Sequence, residues 1–158
     1  MTKPTATCTA DTIVAEVVIA APQASVWAAL TDGKLLGTWW GSADTYRASD
    51  WTIDLRVGGK WECHGIAVDG STFSTNGEFI TISPIDRLVM TWNTSWDPTP
   101  TTTIDYELSR DGNNTRLRLT HSGFTGHETS RDGHSQGWVR VLGWLSEFVE
   151  NELATRSR

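Results

Sequence analysis

The sequence has few cysteines, no excess of basic residues and no long apolar segment. Its two cysteines, Cys8 and Cys63, are too few for the disulfide framework of a small secreted domain, which indicates a reduced, intracellular protein. No apolar run approaches the roughly 18 residues that a membrane-spanning helix requires. We therefore expect a cytoplasmic protein that has no membrane partner.

Positive charge is also scarce, because 13 basic residues stand against 19 acidic ones and the net charge is −6. Nucleic acids and anionic membranes bind clustered Lys and Arg, and no basic cluster occurs here. The composition excludes nucleic acid as the main partner and favours neutral or cationic ligands. No glycine-rich loop precedes a helix in phosphate-binding order, and no Gly-x-Ser-x-Gly motif is present, so we expect no cofactor.

Tryptophan, in contrast, is abundant, with nine residues in a chain of 158. Each buried indole adds a large ring and an N–H group that needs a hydrogen-bond partner. Composition alone does not distinguish a bulky core from an aromatic-lined pocket. The length fits one domain. We expect a disordered tail over residues 1–11, a single domain over residues 12–153 and a short tail over residues 154–158.

The order of predicted elements is strand, two short helices, several strands and one long helix. Residues 12–20 are rich in β-branched side chains and predict a strand, and Pro22 fits the first turn of the helix that follows. Residues 34–40 predict a second short helix. From residue 51 onward, turn signals recur at hairpin intervals between alternating segments, as in an antiparallel meander. A helix with a broad apolar stripe is predicted to begin near residues 130–132.

Seven short motifs follow one another along the chain from about Val14 to Leu153. They are Ala21-Pro22 with Val26-Trp27; Thr31-Asp32 to Leu35-Leu36 with Trp39-Trp40-Gly41; Asp54-Leu55-Arg56 with Gly58-Gly59; Gly77; Arg87-Leu88-Val89 with Thr91-Trp92; Thr115-Arg116-Leu117 to Thr120-His121; and His134 with Gly137-Trp138. In this order they resemble the START-like (SRPBCC) superfamily and, within it, the family related to the activator of heat-shock protein 90 ATPase.

The resemblance implies an α+β helix-grip fold. In that fold a curved antiparallel sheet of six or seven strands wraps around a long C-terminal helix, and two short helices follow the first strand. Such domains serve as ligand carriers, cyclases or chaperone regulators, so the fold alone does not assign a function.

Residues that face inward from the sheet and the last helix would line a cavity in this fold. The predicted ligand-binding residues are Trp39, Trp40, Trp61, Cys63, Met90, Trp92, Tyr106, Leu119, His121, Trp138, Val141 and Leu145. Such a wall suits a small apolar or aromatic ligand that is oriented by Tyr106, His121 and the indole N–H groups. The alternative is that the rings fill the space themselves and leave no cavity.

Catalytic and metal-binding roles have less support from the sequence. His121 would need a partner that fixes its tautomer before it could act as an acid or base, and a structural, hydrogen-bonded histidine is the simpler interpretation. Cys63 would need an adjacent base, but His64 points to the other face of the strand, so a structural cysteine is favoured. The spacings among His121, His127, Glu128 and His134 match no compact zinc pattern, and we expect no metal.

Three functions are therefore consistent with the sequence. The leading hypothesis is a cytoplasmic small-molecule-binding domain, acting as a monomer or homodimer. The second is a module that contacts a chaperone through its surface. The third is a cofactor-independent cyclase or hydrolase that uses His121 and Tyr106.

Overall fold

The computed structural model describes residues 3–153, so the tail expected at residues 154–158 lies outside the described residues. Within this range the chain forms eight strands: β1 Thr5–Cys8, β2 Thr12–Ile19, β3 Tyr46–Ile53, β4 Lys60–Ala67, β5 Thr72–Ser83, β6 Arg87–Thr94, β7 Thr102–Asp111 and β8 Asn114–Ser122. The α-helices are α1 Gln23–Thr31, α2 Gly33–Trp39 and α3 Glu128–Phe148, and a π-helical turn at Val149–Leu153 extends α3.

The strands form one antiparallel sheet in the order β1-β2-β8-β7-β6-β5-β4-β3. The helix-grip fold predicted from the sequence is confirmed, since this curved sheet wraps onto the long C-terminal helix. The predicted number of strands was too low, because the sheet has eight rather than six or seven. The additional strand is β1.

Strand β1 lies inside the segment that the sequence predicted to be a disordered tail. It pairs with β2, with Thr5 opposite Glu16 and Cys8 opposite Ile13. Most of its side chains are exposed, so no alternation of apolar and polar residues reveals it in the sequence. Asp11 fixes the turn after β1, because its carboxylate accepts hydrogen bonds from the backbone N–H groups of residues 123 and 125. The tail prediction was therefore wrong for this segment.

The helices begin where short-range signals place them, with one exception. Pro22 has φ −71° and directly precedes α1, and the Asp32 carboxylate caps α2 by accepting from the backbone N–H of Lys34 at 2.8 Å. Helix α3 begins at Glu128, slightly earlier than the predicted start near residues 130–132. No helix among residues 3–153 is both long enough and apolar enough to span a membrane.

Helix α3 packs mainly against β1 and β2, at one side of the sheet. Its buried side chains Trp138, Leu142 and Leu145 join the hydrophobic core there. The sheet extends well past the helix on the other side, and irregular pairing between β3 and β4 and between β5 and β6 bends it. A space therefore remains between α3 and the strands β3, β4 and β5.

Candidate functional site

The space between α3 and strands β3 to β5 is a cavity of about 980 Å³. Small-molecule sites in proteins span about 300–1,000 Å³, so the cavity has the size of a ligand site. Its wall is largely aromatic and aliphatic. The residues that line it include Trp40, Tyr46, Ala48, Trp51, Cys63, Phe73, Thr75, Trp92, Trp96, Asp97, Ser130, Gly133, His134, Gly137, Trp138, Arg140 and Val141.

Three indoles in stacked, tilted and edge-on contact with one another form the deep wall of the cavity. The ring centroids of Trp40 and Trp92 are 6.4 Å apart, and Trp138 lies 5.9 Å from each of them. These separations lie in the range where aromatic pairs attract one another beyond the burial of their area. The indoles therefore support one another and give the cavity a rigid apolar wall.

The N–H groups of these indoles are already used inside the protein. Trp92 donates to Nε2 of His134 at 3.2 Å, Trp138 donates to Nδ1 of His121 at 2.9 Å, and Trp40 donates to the Tyr46 hydroxyl at 3.3 Å. An indole has a single N–H donor. The prediction that indole N–H groups would orient the ligand therefore does not agree with this hydrogen bonding.

The helix contributes to the cavity through residues on one face. Ser130, Gly133, His134, Gly137 and Val141 are spaced by three or four residues, which places them on the same side of α3. Nothing lies within 4 Å of a Cβ atom built on either glycine. The two glycines therefore leave room that a side chain would otherwise occupy. No strand approaches Gly137 within this distance, so the space beside it is open.

The mouth of the cavity lies beside the loop that follows β6. Trp96 on this loop is 55% exposed. Its ring makes an edge contact with Phe73, with 5.4 Å between centroids, and stacks against His134 at 6.5 Å. The Phe73 ring can pack against β4 because position 65 is a glycine, where a Cβ atom would come within 2.0 Å of the ring.

The predicted ligand-binding residues fall into three groups in the structure. Those that line the large cavity are Trp40, Cys63, Trp92, Trp138 and Val141. Those around a small neighbouring void of about 10 Å³, which Trp40 and Trp92 also border, are Trp61, Met90 and Tyr106. Those that line neither space and are buried in the core are Trp39, Leu119, His121 and Leu145. The two alternatives from the sequence therefore coexist, since the rings fill one part of the groove and leave the adjacent part open.

His121 is fully buried and both of its ring nitrogens have partners. The Trp138 N–H can only donate, so Nδ1 of His121 accepts and the proton resides on Nε2, 2.7 Å from the Thr102 hydroxyl. That hydroxyl in turn donates to the backbone oxygen of Trp92. Burial, with a smaller contribution from the nearby His134, holds the pKa of His121 well below its ordinary value. A neutral structural histidine accounts for this geometry.

His134 lies on the cavity wall beside a serine and an aspartate. Nε2 of His134 accepts from the Trp92 N–H, so Nδ1 carries the proton and donates to the Ser130 backbone oxygen at 2.9 Å. The Ser130 hydroxyl donates to the carboxylate of Asp97. Burial alone would raise the pKa of Asp97, but hydrogen bonds from Ser130 and Thr99 lower it overall. The serine proton therefore points to the carboxylate, and the histidine has no free nitrogen with which to activate the serine.

Two further candidates for catalysis have unsuitable surroundings. The Cys63 thiol is hydrogen-bonded to the Thr75 hydroxyl at 2.9 Å, and burial raises its pKa to about 11. Burial also raises the pKa of Tyr106. His64, on the outer face of β4, contacts Glu62 at 2.8 Å rather than Cys63. Both buried groups are thus held in their neutral, unreactive forms.

The polar groups that do face the cavity include two that sequence reasoning missed, Tyr46 and Arg140. Tyr46 begins β3, a strand that the hairpin pattern indicated only from residue 51 onward. Asp50 in the middle of β3 has a positive φ of 53°, and the resulting irregularity breaks the alternation that could have identified the strand. Arg140 does not belong to the apolar stripe of α3, and no signal in the sequence places it at the cavity.

Among residues 3–153, no group of three or more His, Cys, Asp or Glu side chains is placed to hold a metal ion. His127, Glu128 and His134 lie on the same rim, but His134 is committed to the hydrogen bonds described above.

The sequence of residues 20–150 matches the family described as Activator of Hsp90 ATPase homolog 1-like protein. This match covers most of the chain. The chain belongs to that family. The resemblance drawn from the seven motifs is thereby confirmed. No curated protein matches the chain.

Solved structures of the same fold come from several bacteria. A protein from Rhodobacter sphaeroides superimposes with a TM-score of 0.83 at 19% identity, covering 98% of this chain and 99% of that one. A protein from Nitrosomonas europaea gives 0.80 at 23% identity, covering 94% and 99%. An AHSA1-like protein from Aeromonas hydrophila gives 0.71 at 23% identity, covering 88% and 92%. At these identities the likeness establishes the fold alone.

Proposed function

We propose that this chain is a small-molecule-binding protein that holds an apolar or aromatic ligand between α3 and strands β3 to β5. The observation that carries the proposal is the aromatic-walled cavity of about 980 Å³. Protein interiors are otherwise packed as densely as organic crystals, and voids larger than a water molecule are few. A space of this size, walled by rigid indoles, is better explained by an occupant than by poor packing.

Two of the three glycines of α3 support the same proposal. Gly133 and Gly137 face the cavity, and each lowers the stability of the helix by about 0.8–1 kcal/mol relative to alanine. A Cβ atom added at either position would meet no neighbour within 4 Å. The helix thus carries two unfavourable residues at the positions where they keep the cavity open, which is expected of a site that must admit a ligand.

Binding is favoured over catalysis because the candidate acid–base groups are occupied. His121 and His134 use both ring nitrogens within the protein, and the Cys63 thiol is held neutral. We propose a cytoplasmic site of action, because Cys8 is an exposed free thiol and Cys63 a buried one.

A chaperone contact is the second candidate, and the family description, which names an activator of the Hsp90 ATPase, favours it. A module that works through its surface needs no open cavity, and its partner would bind equally well to a protein in which the cavity is filled. Filling the cavity therefore distinguishes the two functions.

The experiment compares Gly137→Phe with Gly143→Phe, the same substitution at two glycines of α3. Gly137 lines the cavity and Gly143 does not, and neither has a neighbour within 4 Å of an added Cβ atom. The probe is N-phenyl-1-naphthylamine, a neutral aromatic dye whose emission increases in apolar surroundings. We expect the dye to bind the native protein and Gly143→Phe alike, and to bind Gly137→Phe at least about tenfold more weakly, a loss of about 1.4 kcal/mol.

Thermal unfolding provides a second readout of the same experiment. A ligand that binds only the folded state raises stability by about 2.7 kcal/mol at a hundredfold excess over its dissociation constant. The dye should therefore raise the melting temperature of the native protein and of Gly143→Phe. The ligand-binding proposal is wrong if the dye does not bind the native protein, or if it binds the two variants equally. The chaperone contact then becomes the better explanation.

A further inference from the structure

The cavity has two polar ends with an apolar middle, and the ends differ in charge. Asp97 and Glu128 lie on the rim near the start of α3, whereas Arg140 lines the cavity farther along the helix. Ten residues separate Ser130, which contacts Asp97, from Arg140, so the two ends are about 15 Å apart at a rise of 1.5 Å per residue. This separation exceeds the Debye length of about 8 Å at physiological salt, so the acidic end does not neutralise Arg140.

Arg140 has no counter-ion in the part of the chain that the structure describes. Within residues 3–153 its guanidinium makes neither an ion pair nor a hydrogen bond, whereas Arg87 and Arg131, for example, are both paired with an aspartate. The guanidinium is permanently charged and presents five donors in a planar fork that fits a carboxylate or a similar anion.

The Tyr46 hydroxyl lies at the same end of the cavity with a donor to spare. It accepts a hydrogen bond from the Trp40 N–H at 3.3 Å, and its own proton meets no acceptor among the described residues. The Tyr46 ring contacts Trp144 with 5.5 Å between centroids, and Trp144 is one helical turn after Arg140 on the same side of α3. The charge of Arg140 is close enough to oppose the effect of burial on the Tyr46 pKa, which is raised overall.

We infer that the ligand is an organic anion, with an apolar or aromatic body against the indoles and an acidic group held by Arg140 and the Tyr46 hydroxyl. This inference rests on the proposed ligand-binding function and adds the chemical class of the ligand. The net charge of −6 favoured neutral or cationic ligands, but the local arrangement of donors at this end of the cavity decides otherwise. No acidic side chain lines the cavity beside these two donors within the described residues.

The test uses two dyes that share an aromatic body and differ in charge. N-phenyl-1-naphthylamine is neutral, and 8-anilinonaphthalene-1-sulfonate carries one sulfonate on the same ring system. The sulfonate can accept charge-assisted hydrogen bonds from Arg140 and Tyr46, which are about twice as strong as neutral ones, and the neutral dye has no such group. We therefore expect the native protein to bind the sulfonate about tenfold more tightly than the neutral dye. Added salt should weaken the binding of the sulfonate more than that of the neutral dye.

Three variants assign the preference to residues. Arg140→Met keeps the length of the side chain and removes its charge, and should remove the preference for the sulfonate over the neutral dye. Tyr46→Phe removes only the hydroxyl and should reduce the preference about fivefold, as expected for one lost hydrogen bond. Arg118→Met, on the outer surface near Glu16, changes the net charge equally and should leave both affinities unchanged.

The outcomes separate this inference from the function on which it rests. If both dyes bind with equal affinity, or if Arg140→Met and Arg118→Met behave alike, the anion site is wrong while the ligand-binding function stands. If neither dye binds the native protein, both proposals are wrong. A preference for the sulfonate that is lost in Arg140→Met and retained in Arg118→Met supports the anion site.

Discussion

The buried, neutral His121 makes the stability of the protein depend on pH in a calculable way. The pKa of His121 is held well below 6.5 in the folded state by burial and by His134, and it returns to about 6.5 when the chain unfolds. Below pH 6.5 the unfolded chain therefore binds a proton that the folded protein does not. The free energy of unfolding must fall as the pH is lowered through this region, and it is at its full value above the unfolded pKa.

The size of the effect follows from the unfolded pKa alone while the folded protein stays unprotonated at this site. Between pH 6.5 and pH 5.5 the unfolding free energy should decrease by about 1 kcal/mol, approaching a slope of about 1.4 kcal/mol per pH unit. The carboxylates with lowered pKa, Asp11, Asp69 and Asp97, contribute at lower pH, because the stability they provide is lost only as the pH falls through the acidic range. The interval therefore separates the effect of histidine from that of these carboxylates.

Urea unfolding of the native protein, His121→Gln and His64→Gln at several pH values measures this dependence. His121→Gln should be less stable near neutral pH, because the Trp138 N–H loses its acceptor, but its stability should vary less between pH 6.5 and 5.5. His64→Gln, on the exposed outer face of β4, is the control for the loss of one histidine, and it should retain the slope that His121 produces. A native protein whose stability is constant over this interval, or a slope that survives in His121→Gln, would refute the reasoning.

Two further predictions concern the helix and the thiols. Urea unfolding should show that Trp138→Ala lowers the unfolding free energy by about 3–5 kcal/mol, because the Trp138 side chain is only 3% exposed and its removal empties a core site. Trp138→Phe loses mainly the N–H group that donates to His121, and it should lower the unfolding free energy by about 1–3 kcal/mol. Equal losses in the two variants would show that the hydrogen bond to His121 dominates. Under native, mildly alkaline conditions a thiol reagent should modify the exposed Cys8 and leave Cys63, with its raised pKa, unmodified until the chain unfolds; equal rates at both cysteines would contradict the buried, neutral thiol.

The fold could be predicted from the sequence because its signals are local or periodic. The proline before α1, the alternation of β4 to β8 and the apolar stripe of α3 each depend on nearby residues, and the order of the motifs supplied the topology. Strand β1 gave no such signal, since its side chains are mostly exposed and its pairing with β2 rests on backbone hydrogen bonds. An edge strand of four polar or small residues cannot be recognised from apolar periodicity.

The position of the cavity was harder to predict from the sequence because it depends on which strands α3 packs against. The alternation of apolar and polar residues correctly predicted that Cys63 and Trp92 face inward. It does not predict which of the inward-facing residues the helix covers. Leu119, which lies on β8 beside β2, is buried and does not line the cavity, whereas the wall from Tyr46 to Phe73 is open. The same limitation hid the hydrogen bonds that occupy His121 and the indoles, since each joins residues far apart in the sequence.

The glycines at positions 133 and 137 have a consequence for how relatives with this fold could diverge. They are four residues apart on the same face of α3, and a Cβ atom added at either one would meet no neighbour within 4 Å. Substitutions at these two positions of α3 would therefore change the shape of the cavity. The sheet that determines the fold would stay unchanged. Ligand preference can then evolve in single substitutions that stabilise the helix as they narrow the cavity, a route on which selection for binding and selection for stability need not conflict.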